Sequence, residues 1–376
     1  MTSELSSLCS YAKGKVSVDT LSKRNYVSTE NMMPNKGGIV DAGALPSAQY
    51  TQQYIKDDIL VSNIRPYFKK IWMADDDGGC SNDVLVFRAD RGCDSTFLYY
   101  ILANDAFFNY ASATSKGTKM PRGDKTAIMQ YKVPCFNYET QLRIGKLLRS
   151  IDDRIAVNKK INDNLQQQLF SLYENMATAS PCLKESNLCD FQEGYVNPPQ
   201  THPEYFDGEV KWLRAVDINE SFIIETSRTL TKAGFESAKK SALLFEPNTI
   251  AISKSGTIGR LGIIADYMCG NRAVINIAPH DTNMLAFIYC FLKSKQREFP
   301  DMAVGSVQKN LYVSLLEPLS VSIPDNESLT AFNAVGASIL GMIHNNCVEN
   351  TDLANLRDTI LPKLMSGEID VSSVLL

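Results

Sequence analysis

ETQLRIGKLLRSIDDRIAVNKKINDNLQQQLFSLYENM, residues Glu139 to Met176, places Ile144, Leu148, Ile151, Ile155, Asn158, Asn162, Leu165, Leu169, Leu172 and Met176 at alternating spacings of four and three. That is the a/d seam of a coiled coil, interrupted by two asparagines. The stretch contains no proline, and no glycine after Gly145. The spacing predicts one long helix, and a helix from Gln141 to Ala177 would run ~55 Å at ~1.5 Å per residue.

The seam is written twice. Adding 188 to each number gives Phe332, Gly336, Ile339, Ile343, Asn346, Asn350, Leu353, Arg357, Ile360 and Leu364, of which five of ten are identical to the first copy, both asparagines included. Glu139 maps onto Glu327 and Gly117 onto Gly305 at the same offset. Chance readily makes a second leucine seam, but not the same paired asparagines at the same depth. Only Gly336 and Arg357 depart seriously from the pattern.

Ahead of each helix the likeness is looser. Ile59-Leu60-Val61-Ser62 matches Ile250-Ala251-Ile252-Ser253, and each apolar run leads into a basic loop, residues 63–70 and 254–260. Cys80-Ser81-Asn82 and Cys269-Gly270-Asn271 then precede the β-branched runs 84–87 and 274–277. Phe97 to Ala113 and Leu285 to Phe299 are expected as helices, and Trp72 and Trp212 as core. Val133-Pro134 and Ile323-Pro324 mark plausible hand-overs, because a residue before proline avoids the α region. The expected class is therefore mixed α/β (α+β): a domain at 1–138, a long helix at 139–178, a second domain at 179–326, and a closing helix and tail at 327–376.

Two equivalent halves in one chain can pack about a pseudo-two-fold axis, as a symmetric dimer does. The two helices would then pair as an antiparallel coiled coil, a ruler matching ~16 base pairs of duplex at ~3.4 Å each. Asn158, Asn162, Asn346 and Asn350 have two open readings: a buried set that fixes helix register, or the lining of a solvent-wetted groove. On the first, replacing Asn158 and Asn346 with Leu is expected to raise the melting temperature and loosen pairing.

With 44% hydrophobic and 21% charged residues, the 376-residue chain has the composition of a folded protein large enough for two domains. Met1 to Ser10 is polar and carries Glu4, and the longest apolar run, Leu285 to Leu292, is too short to span a membrane, so a cytoplasmic protein is expected. The nine cysteines contain no C-x-x-C pair, and His202, His280 and His344 are scattered, which argues for reduced thiols and no metal site. The net charge of −4 does not announce a nucleic-acid binder, although only charges within about a Debye length of a phosphate matter much.

The repeated plan resembles the specificity subunit of Type I restriction-modification systems over nearly the whole chain. Most specific are residues Leu353 to Ile369, which look like that family's closing helix; Ser253-Lys254-Ser255-Gly256-Thr257-Ile258-Gly259 and Gly305 to Leu311 also match, and the first ~50 residues match least. The resemblance implies two target-recognition domains that clamp double-stranded DNA at a bipartite, asymmetric site. It further implies helices that dock two methyltransferase (modification) subunits, with restriction subunits in the full complex. S-adenosylmethionine, ATP and Mg would sit on those partners, and no cofactor on this chain.

No catalytic motif competes with that reading. A phosphate-binding P-loop and a nucleophile elbow are absent from the sequence. Asn197-Pro198-Pro199 resembles the start of an amino-methyltransferase tetrapeptide, but Gln200 stands where an aromatic ring would stack on a flipped base. Two rivals stay open, a protein-binding coiled-coil scaffold and the recognition part of another restriction-methylation system.

DNA recognition needs cations and amides on phosphates, and forked or planar groups on base edges. In the first copy the candidates are Ser62, Asn63, Arg65, Tyr67, Lys69 and Lys70, then Lys116, Thr118, Lys119 and Arg122 from a glycine-containing loop with four cations against one acid. In the second copy they are Lys254, Ser255, Thr257, Arg260 and Arg272, with Gln308, Lys309 and Asn310. For each of them a solvated surface position is the competing reading.

Overall fold

Strand Ile59–Ser62 is buried at all four positions, as a continuous apolar run in the middle of a sheet should be. It pairs antiparallel with Val84–Ala89, setting Ile59 opposite Phe87, Leu60 opposite Val86, Val61 opposite Leu85 and Ser62 opposite Val84. Strand Ile250–Ser253 does the same with Val274–Pro279: Ile250 faces Ile277, Ala251 Asn276, Ile252 Ile275 and Ser253 Val274. The two copies thus share one register at their centres. The structure is a computed structural model that describes residues 2–176, 182–184, 188–306 and 308–372; the boundary expected at residue 178 lies outside the described residues.

The chain divides into two compact units, residues 1–154 with 353–376, and residues 155–352, so each takes segments of both long helices. In the first unit a four-stranded sheet runs Cys9–Tyr11, Val84–Ala89, Ile59–Ser62, Ile71–Met73, and a second runs Lys15–Ser17, Tyr50–Tyr54, Gly78–Cys80, Tyr26–Val27. Its largest core joins Ile59, Leu85, Phe87, Phe97 and Phe107 to Ile144 and Leu148 of the central helix and to Leu361 and Leu364 of the closing helix. In the second unit the main sheet has five strands, in the order Cys189–Glu193, Val274–Pro279, Ile250–Ser253, Leu261–Ile264, Phe222–Ile223. Its core gathers Ile250, Ile275 and Phe287 with Leu169, Tyr173, Phe332 and Ile343. Trp212 is buried, and Trp72 is partly buried against Tyr54.

The helices expected inside the domains are each broken. Ser95–Ala103 and Asp105–Ala113 are separate helices. Between them Asn104 takes an extended conformation, and its side chain accepts the Ala106 N–H at 2.9 Å. An asparagine that caps a new helix competes with continuing the old one. The second helix ends at Lys295, and a short helix Phe299–Met302 follows, with Pro300 in its first turn, where a missing N–H costs nothing.

Both long helices form, Tyr138–Met176 and Asn326–Ser366. They pair antiparallel: in the second unit Asn158 donates to Asn350 at 3.0 Å, Asn346 donates to Asn162 at 2.8 Å, and the Tyr173 and Phe332 rings meet edge to face. In the first unit Arg357 meets Asp152 at 2.6 Å. Leu172 leaves the seam and is 45% exposed, while Tyr173 is buried in its place. A straight helix drifts against a 3.5-residue repeat, so the seam slides by one position over several heptads.

Asn158 and Asn162 are 1% and 6% exposed, Asn346 and Asn350 are half-buried, and all four bond across the helix pair. The pairing also reverses the expectation for Asn158 and Asn346, since they belong to different pairs. Replacing both with Leu strands Asn162 and Asn350 together. Asn346→Leu alone is expected to cost about 1–3 kcal/mol, because it removes the donor to a buried carbonyl oxygen. The double change Asn162→Leu with Asn346→Leu should recover most of that loss. Chemical denaturation of the three variants measures both, and a double variant no better than the single one would rule out the paired role.

Candidate nucleic-acid interface

Each unit ties two candidate loops together by backbone hydrogen bonds. In the first, Asn63 N–H donates to Asp83 O (2.8 Å), Gly123 N–H to Asn63 O (3.1 Å) and Arg65 N–H to Pro121 O (2.8 Å). Lys116 and Arg122 exchange a reciprocal pair of backbone bonds at 2.8 and 2.9 Å, closing the loop tip through Gly117 at φ +96°. In the second, Lys254 N–H donates to Ala273 O (2.7 Å), Leu311 N–H to Lys254 O (2.9 Å), and Val304 and Asn310 exchange the matching pair at 3.0 and 2.9 Å. Gly305, at φ +141°, stands where Gly117 does. Values this far beyond the left-handed helical region are readily adopted only by glycine, which accounts for the match.

The first copy's candidates are therefore gathered at one place. Ser62 and Asn63 are buried, and the Ser62 hydroxyl donates to Ile64 O at 3.1 Å, so both shape the loop. Arg65 and Lys69 sit in the left-handed region at φ +49° and +51°, on either side of the turn Pro66–Phe68 that lifts Tyr67 into solvent. Lys69 and Lys36 both bind Asp105, at 2.8 and 2.9 Å. Burial pushes the Asp105 carboxyl up, but these two hydrogen bonds prevail and hold it below the ordinary carboxylate range. The Lys70 ammonium donates to Thr29 O, and burial lowers its pKa. Lys116 pairs with Asp124 at 2.5 Å and Arg122 with Asp83 at 3.0 Å. The hydrogen bond from Lys116 holds the Asp124 carboxyl below its usual pKa, helped by the N–H groups that Asp124 caps. Thr118 and Lys119 are exposed at the tip.

In the second copy the Ser253 hydroxyl accepts the Arg260 N–H at 2.8 Å and donates to Thr257 O, which fixes the turn carrying Ser255, Thr257 and Arg260. Lys254 pairs with Glu193 at 2.8 Å beneath the Tyr312 ring. Arg272, Gln308 and Lys309 are exposed, and Asn310 turns back to bond Gln308 O at 3.1 Å. Exposed cations and amides are thus mounted on loops that backbone hydrogen bonds close.

Two features lie outside the residues singled out from sequence. Arg228 stacks 4.2 Å over Phe206 and donates to Gln200 at 3.0 Å, while Arg214 lies 5.6 Å over Trp212. In the first unit, a cleft of about 370 Å³ beside strand Lys15–Ser17 is lined by Lys13, Lys15, Tyr50, Gln52, Asn82 and Lys125 among others. The sequence signal was there, in Lys13-Gly14-Lys15, but nothing local joins it to residues 50–52 and 125. Among the described residues no group of His, Cys, Asp and Glu could hold a metal ion, and no helix is long and apolar enough to cross a membrane.

A family model described as the Type I restriction modification DNA specificity domain matches residues 1–167 and 186–351. Among curated proteins, the chain is similar to the Type I restriction enzyme MjaIX specificity subunit of Methanocaldococcus jannaschii, at 23% identity over 308 residues, 75% of this chain and 71% of that protein. It is also similar to the Type I restriction enzyme HindI specificity subunit of Haemophilus influenzae, at 27% identity over 176 residues, 46% of this chain and 38% of that one. Among solved structures, it shares its fold with the Type-I restriction-modification system S subunit from M. genitalium, with a TM-score of 0.57 and 18% identity, covering 97% of this chain and 96% of that one.

Proposed function

Because the chain belongs to the Type I restriction modification DNA specificity domain family, we propose that it is the specificity subunit of a Type I restriction-modification complex, reading double-stranded DNA with its two recognition domains. The observation that carries this is the duplicated loop pair: each half ties its Ser62-type strand end to a glycine-tipped loop through matching backbone bonds. Each loop pair serves one half of a bipartite target, with exposed Lys119, Arg272, Gln308 and Lys309 as direct contacts. Paired residues such as Lys69, Lys254 and Arg122 hold the loops in place. The chain itself is non-catalytic. Two methyltransferase subunits in the cytoplasm carry S-adenosylmethionine, and restriction subunits carry ATP and Mg. Exposed Val157, Ile161, Val335, Met342 and Leu356 on the long helices supply apolar surface suited to those partners.

Genome-wide mapping of N6-methyladenine tests the reading. A split motif is expected in cells that contain the chain and should vanish on its deletion. Exchanging residues 179–326 for those of a relative should change one half of the motif only. A motif that survives deletion, or one whose halves change together, overturns the reading.

A further inference from the structure

The cleft in the first unit is lined by three lysines and by no acidic residue. These are Lys13, Lys15 and Lys125, and none of the three makes an ion pair among the described residues. Tyr11 ties its parts together, donating from its hydroxyl to Lys125 O at 2.9 Å, while Tyr50 stands 53% exposed at the wall. Three lysines on the lining of one concavity favour the entry of a polyanion.

The second unit shows what the same place looks like when it is neutralised. Cys9 pairs with Ala89 as Cys189 pairs with Pro279, so the two edge strands enter their sheets alike. Four residues on, Lys13-Gly14 stands where the second copy has Glu193-Gly194. Glu193 is bonded to Lys254, and the counterpart of Lys254 in the backbone pattern is Asn63. The second copy has an internal ion pair there; the first has a cation and an amide.

We propose that the cleft of Lys13, Lys15 and Lys125 in the first recognition domain is a site for the phosphodiester backbone of duplex DNA, which the second domain does not reproduce. Gln52 and Asn82 add amide donors to the same wall. The proposal rests on the specificity-subunit reading and adds to it an unequal share of the backbone contacts between the halves.

The test uses the full chain assembled with its methyltransferase partners, titrated with duplex DNA over a range of salt. Neutralising three phosphate contacts with the triple variant Lys13→Gln, Lys15→Gln, Lys125→Gln is expected to make the slope of log affinity against log salt shallower by about two to three. The loss should be equal on target and non-target duplexes, since phosphate contacts carry no base information. The triple Lys→Arg variant should keep the wild-type slope. All three lysines are exposed, so the melting temperature should be unchanged and a fold defect is readily told apart. If the wild-type complex binds duplex with a steep salt dependence and the Gln variant matches it, the cleft is not a DNA site, although the broader reading survives. If the wild type shows no salt-dependent duplex binding, both fall together.

Discussion

Replacing Arg357 with Leu is expected to lower the melting temperature by about 5–10 °C, even though it restores the residue type that the repeat carries at Leu169. Arg357 is half-buried on the closing helix; it bonds Asp152 at 2.6 Å and Asp358 at 2.9 Å. Asp152 also accepts the Tyr100 hydroxyl at 2.6 Å. Burial opposes the guanidinium charge, but its hydrogen bonds and the field of the two carboxylates outweigh that and raise its pKa above the usual value. Leucine would leave Asp152 half-buried and without its cation, at a cost of about 2–3 kcal/mol. The repeat supplies the rescue. The position matching Asp152 in the second copy is Leu340, which is buried. The double variant Asp152→Leu, Arg357→Leu, made in a Tyr100→Phe background so that no hydroxyl is left unpaired, replaces the ion pair by apolar contact and should melt within a few degrees of that background or above it. Calorimetry of the two variants decides: a double variant as unstable as the single one would mean that the pair does not account for the loss.

A glycine pair on the same helix gives the second large effect, with opposite signs at the two sites. A Cβ at Gly336 would fall 2.5 Å from the Ala286 Cβ, on the buried helix Leu285–Lys295. Gly336→Ala therefore forces the helices apart and is expected to destabilise the second unit by about 2 kcal/mol, after allowing for the roughly 1 kcal/mol that alanine gains over glycine in a helix. At Gly341 nothing lies within 4 Å of the added atom. Gly341→Ala should stabilise by about 1 kcal/mol. Denaturant midpoints for both variants check this, and equal shifts of one sign would contradict the close approach at Gly336. The first copy has Leu148 at the matching position, so this contact distinguishes the halves.

These two positions were the ones that broke the repeat in the sequence, and each break has a tertiary cause. Arg357 reads as a defect in a leucine seam until Asp152 is placed beside it. Gly336 reads as a weak helix position until the Leu285–Lys295 helix is laid against it.

The duplication, the two long helices, their asparagines and the central strand runs were legible from residue order alone. A 3.5-residue period and a buried apolar run are local signals, and a repeat at offset 188 doubles each of them. Which amide meets which was not legible, because Asn158 and Asn350 are 192 residues apart and a one-turn shift of the antiparallel pair would set Asn158 opposite Asn346 instead. The charge of the loops was also hidden. Counting lysines finds candidates, but Lys69 is neutralised by Asp105 from 36 residues away and Lys254 by Glu193 from 61. Lys13, Lys15 and Lys125 illustrate the converse: folding brings them to the lining of one cleft that no acidic residue lines.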